Sequence, residues 1–250
     1  MAAGSTKYSG DAGQETLFEK ANLGGIQVVF LIAMTLGLEA IVEGVYRYFI
    51  SFIGLDKAVE TRASIWFFAP VVAMLLLGLR FFWAVVNIRR YTENVSIELK
   101  NEADETRAIQ IRERGSRAIV MVHMPILILH GFLYYTGARL VSDMLFSENA
   151  KHTVPVFIVF YSIFQLVNVG WVWLLIRRFK GHLKFSFHRE TVWMTNNFVT
   201  SLLGLGLLIP FYLSVLSLEQ TLFLACLVFI ASSFVDLFKT AYHYLEGPER

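Results

Sequence analysis

Glu39, Glu43 and Arg47 fall at i, i+4 and i+8 within one apolar run, so they share a helical stripe that Thr35 extends by a turn. A charged group at the centre of a membrane span costs roughly 2.5–3.5 kcal/mol on insertion scales, so charges kept there are candidates for cation binding, proton relay or pairing. Counted from Ile26 at 1.5 Å per residue, Glu39 lies about 20 Å along the run, near the middle of a bilayer. Glu43 can pair with Arg47 one turn on, whereas Glu39 has no basic partner at that spacing in its own run. The next run carries one deep charge, Arg80. Two roles are open. Glu39 and Glu43 line a wet path with Arg80 as counter-charge, or Glu39 ties to Arg80 and fixes the packing of the first two spans.

Other polar residues lie in later runs. Gln165 and Asn168 are three apart, with Tyr161 and Ser162 one turn earlier. Amides at depth bind helices together for about 0.6–2 kcal/mol each, and these two are also placed among the pathway candidates. Asp236 and Lys239 are i and i+3 near the end of the last run, which a local, snorkelling ion pair explains. His130 is deep in the third run, and no other run offers a histidine at a matching depth for a bis-His haem. A packed, hydrogen-bonded interior residue is the expectation there, with a metal ligand as the weaker one. The single cysteine, Cys226, excludes an intrachain disulfide and a Cys-rich metal site. No HExxH, P-loop or GxSxG motif occurs, so neither a cofactor nor a catalytic constellation is expected and the chain does not read as an enzyme.

These residues need a lipid-embedded frame. Of 250 residues, 56% are hydrophobic, 15% aromatic and only 17% charged, where a soluble domain carries about 25% charge. A net charge of +2, scattered along the chain, does not suit a nucleic-acid binder. Six apolar runs are long enough to cross about 30 Å of hydrocarbon: 26–50, 64–86, 118–141, 154–176, 193–216 and 221–242. Nothing alternates with period two, so a β-barrel is excluded. Pro155 suits a first helical turn, and Pro70, Pro125 and Pro210 predict kinks. Residues 1–24 read as a mostly disordered tail, 25–243 as one transmembrane domain, and 244–250 as a second short tail.

Orientation follows from the basic residues. The connector 89–117 holds Arg89, Arg90, Lys100, Arg107, Arg112, Arg114 and Arg117. The connector 177–192 adds Arg177, Arg178, Lys180, Lys184 and Arg189, against Lys57, Arg62 and Lys151 in the others. Positive residues stay in the cytoplasm, so both termini are expected there. Short outer and long inner connectors group the spans into three sequential hairpins. The expected fold is an all-α bundle of six transmembrane helices, multi-pass in a bacterial inner membrane or its equivalent. Its expected function is a small channel or transporter for a cation, proton or small polar solute, with Glu39, Glu43, Arg80, Gln165 and Asn168 in the path. The alternative is a non-catalytic structural subunit of a larger membrane complex. Membrane lipid and a homo-oligomer or complex are the expected partners, and nucleic acid is not.

Overall fold

The computed structural model describes residues 11–53, 68–80, 82, 124–146, 150–179 and 188–245. The helices are α1 (Asp11–Phe52), α2 (Phe68–Arg80), α3 (Met124–Phe146), α4 (Ala150–Phe179), α5 (His188–Gly206), α6 (Leu208–Tyr212) and α7 (Leu218–Leu245). The described residues contain no strand. Among the described residues, three stretches are long and apolar enough to cross a membrane: Lys151–Leu174, Thr191–Tyr212 and Leu218–Lys239. Six were expected. The difference lies in three elements. α3 carries His130, Arg139 and Asp143, α2 is described over a short apolar length only, and Glu39, Glu43 and Arg47 all fall in the part of α1 whose side chains are described.

α1 begins at Asp11, inside the segment expected to be a disordered tail. Gln14, Glu15, Leu17, Glu19, Lys20 and Ala21 are good helix formers, and no proline interrupts them. Residues 1–10, the connector around 89–117, residues 180–187 of the basic connector and the end after Leu245 lie outside the described residues. Pro125 lies within α3, which is described from Met124 onward. Pro155 lies inside α4. The kink expected from Pro210 is found one turn upstream: α5 ends at Gly206, whose carbonyl is the one the proline cannot bond, and α6 restarts at Leu208. A reciprocal cap opens α7, with Ser217 Oγ accepting the Gln220 N–H at 3.2 Å and Gln220 Oε1 accepting the Ser217 N–H at 2.9 Å.

Small residues set the first packing seam. Gly37, Ala40 and Gly44 face α3, and all three are buried. A methyl group added at Gly37 would overlap the Tyr134 ring, and one at Gly44 would lie 3.0 Å from Ser142 Cα. Gly37 beside Tyr134 and Gly44 beside Ser142 make α1 and α3 parallel neighbours. α2 runs antiparallel to α1, with Phe68 against Tyr48 at 5.0 Å and Gly78 beside Met34. In the other half, α5 lies between α4 and α7: Trp171 faces Trp193 at 6.3 Å, and Thr200 faces Ser232. Tyr161 of α4 stacks on Phe229 of α7 at 3.8 Å. The α1–α3 and α4–α5 seams join helices from different expected hairpins, because that is where glycine, alanine and serine let backbones approach.

Candidate functional site

Arg80, on α2, is 5% exposed and points into the junction of α4, α5 and α7. Its guanidinium forms an ion pair with Asp236 of α7. It also donates to Asn197 Oδ1 at 2.6 Å, and lies 3.4 Å from Gln165 Oε1 and 3.5 Å from Ser233 Oγ. Asp236 is enclosed in turn. Trp193 Nε1 donates to its Oδ2 at 2.8 Å, and Asn196 Nδ2 donates to its Oδ1.

The periodicity of two helices builds this arrangement. On α5, Trp193, Asn196, Asn197 and Thr200 follow at i, i+3, i+4 and i+7, one continuous face. On α7, Phe229, Ser232, Ser233 and Asp236 repeat the same offsets. The two faces meet through Asn196 Nδ2, 3.0 Å from Ser232 Oγ, and Thr200 Oγ1, 2.7 Å from Ser232 Oγ. Counted from Leu174, Thr191 and Lys239, the cluster lies about 5–14 Å inside one end of the three long apolar helices.

A buried ion pair recovers its desolvation cost only when the remaining donors and acceptors are also satisfied. Asp236 meets that condition, taking donors from two helices, Arg80 on α2 and Trp193 and Asn196 on α5, while Arg80 Nε is left without an acceptor among the described residues. The pair is neutral as a unit and closed off by large side chains. Its chemistry is that of a polar clamp across α2, α4, α5 and α7.

The expected tie between Glu39 and Arg80 is not formed; Asp236 takes that place. The reason is rotational. Glu39 follows Gly37 by two residues, about 200° around the helix, so a seam built on Gly37, Ala40 and Gly44 turns Glu39 outward. Glu39 is exposed, and among the described residues no ion pair or hydrogen bond reaches it. Glu43 is paired as expected with Arg47, and also lies 3.3 Å from Arg139 of α3. The local Asp236–Lys239 pair expected from spacing is likewise replaced, since Asp236 faces inward and Lys239 is exposed.

Of the pathway candidates, the structure brings Arg80 and Gln165 together, and leaves Glu39, Glu43 and Asn168 elsewhere. His130 is fully buried, with Nδ1 2.8 Å from the Ile126 carbonyl and its ring 4.7 Å from Phe164 and 5.8 Å from Trp171. Asn168 is its side-chain hydrogen-bond partner across the α3–α4 contact. Among the described residues, no group of three or more His, Cys, Asp or Glu is placed to hold a metal ion. An open cleft of about 760 Å³ lies between the start of α4 and the turn after α6, lined by Lys151, His152 and Tyr212, among others. It includes neither the Arg80–Asp236 cluster nor Glu39, Glu43, Arg47 or Arg139.

Sequence reasoning missed Asp236 as the partner of Arg80, and Trp193, Asn196 and Asn197 as its enclosure. The signal was present as two polar stripes with matching offsets. Compared with protein-family models, with curated proteins and with solved structures, the chain matches none.

Proposed function

We propose that the chain is a multi-pass membrane protein acting as a non-catalytic structural subunit of a larger membrane assembly. The observation that carries this reading is the outward position of Glu39. A carboxylate that served a conduction path through this bundle would face its interior, and Glu39 lies on the opposite side of α1 from the seam with α3. The inward charges are already neutralised among themselves. Large apolar side chains flank Glu39 on the exposed face, Val42 and Tyr46 each at 64% exposure, which suits lipid or another helix and not water. In this reading the chain spans the bilayer six times, as three sequential hairpins with both ends in the cytoplasm. The two long basic connectors then lie on the cytoplasmic side.

One observation favours transport of a cation, proton or small polar solute as a second reading. Arg80, Gln165, Asn197, Ser233 and Asp236 form a polar cluster at membrane depth, and ionisable groups in such places commonly mark substrate or proton pathways. Reconstitution separates the two. Vesicles holding the purified full chain should pass protons and monovalent cations no faster than empty vesicles. A flux that disappears in Arg80→Gln, with the protein still folded, overturns the structural reading and establishes transport.

A further inference from the structure

The outward face of α1 holds more than an isolated charge. Ile32, Thr35, Glu39, Val42, Tyr46 and Phe49 are all exposed, and their spacing alternates between three and four residues. That alternation is the seam pattern of helices that pack at a shallow left-handed crossing. A lipid-facing surface needs no seam, since any apolar residue serves. It strongly disfavours a bare carboxylate at mid-depth, and Glu39 sits roughly halfway between Ile26 and Ile53, about 20 Å from either.

We propose that this stripe docks a transmembrane helix of another protein, one that presents a lysine or arginine level with Glu39. The proposal rests on the assembly reading above and names the chemistry of the partner. Charge complementarity selects it. A cation at that depth neutralises Glu39 and is itself neutralised, so neither group meets hydrocarbon alone. Thr35, one turn away on the same stripe, adds a hydroxyl that can bond the same group.

A second copy of this chain does not supply that cation. Two parallel copies related by an axis along the membrane normal would set Glu39 against Glu39 at the same depth. Among the described residues, the cations that α1 and α3 turn outward are Arg47 and Arg139, both engaged by Glu43. Arg47 stands eight residues beyond Glu39, about 12 Å away along the axis. Arg80 is buried against Asp236.

The test uses the purified full chain in lipid vesicles, with Val42→Cys in a Cys226→Ala background. The probe is a synthetic leucine-rich helix of about 24 residues carrying one central lysine and a cysteine one turn away. Oxidative cross-linking should favour the lysine helix over its all-leucine counterpart by about five- to thirtyfold, the range interhelical polar contacts give in model peptides. An arginine helix should match lysine, and a glutamate helix should fall to the leucine level or below. Glu39→Gln should abolish the preference and Glu39→Asp should retain most of it, with thermal unfolding confirming that both variants are folded. Equal cross-linking of the lysine and leucine helices, or a preference unchanged in Glu39→Gln, overturns the proposal. So does a high yield of disulfide between two copies without any probe, which assigns the face to self-association. Particle mass in native membrane extracts tells the two readings apart. A particle heavier than the single chain alongside no lysine preference overturns the cationic partner alone, while a single-chain mass overturns the assembly reading with it.

Discussion

Arg80 and Glu39 stand on neighbouring helices and meet opposite fates. Arg80, on α2, faces the junction of α4, α5 and α7, where a carboxylate, two amides and a serine surround it. Glu39 stands on the far side of α1, with no partner among the described residues and apolar neighbours along its stripe. On the proposed six-span reading, both are charges placed where charge is costly. One is compensated within the chain, and in the proposed assembly the other is compensated by a cation of the partner. On that proposal fold and assembly draw on different charges, and each can be removed separately.

The largest effect is expected at the interior pair. Asp236→Asn leaves the Arg80 guanidinium buried without a counter-charge, which by analogy with soluble proteins costs about 3–5 kcal/mol. The protein should accumulate poorly or unfold well below wild type in a thermal assay in detergent, and Arg80→Gln in the same chain should restore most of the loss. An Asp236→Asn variant as stable as wild type would place the pair elsewhere.

A middle-sized effect should come from the seam that turns Glu39 outward. Gly37→Ala forces a methyl group into the Tyr134 ring, and overpacking of this kind costs about 1–3 kcal/mol. Gly170→Ala, where an added methyl meets nothing within 4 Å, should be neutral or stabilise by up to about 1 kcal/mol. Equal unfolding temperatures for the two would dissolve the α1–α3 seam, and with it the reason for the outward carboxylate.

A smaller loss is expected from the enclosure of Asp236. Trp193→Phe keeps the ring packing but deletes one donor to the carboxylate, and interhelical hydrogen bonds of this type average about 0.6 kcal/mol with a maximum near 1.7. A loss as large as that of Asp236→Asn would show that the indole does more than donate one bond.

The sequence made some of this legible and hid the rest for a definable reason. Apolar runs located α3, α4, α5 and α7, because length and hydropathy are properties of one segment. The pairing of Gln165 with Arg80 was within reach of the same logic, since both were singled out as polar groups at depth. The Arg80–Asp236 pair was not, because it joins residues 156 positions apart and depends on how α2 and α7 are rotated toward each other. Spacing within α7 pointed to Lys239, a neighbour in sequence that lies on another face. The rotation of α1 was encoded by Gly37, Ala40 and Gly44, small residues that carry no charge and are easily passed over beside Glu39 and Glu43. Matching polar offsets on two helices, and small residues at i, i+3 and i+7, are the signals that would have recovered both.

Glu39→Gln should leave the unfolding temperature almost unchanged, within the range of about 0.5 kcal/mol typical of surface substitutions. Its consequence lies in what the chain holds. The most direct measurement is the native mass of the protein extracted from membranes, wild type and Glu39→Gln side by side. The account predicts a wild-type particle heavier than the chain alone and a Glu39→Gln particle that has lost the extra mass while remaining folded. Identical masses for the two, or a wild-type particle with the mass of a single chain, would contradict it.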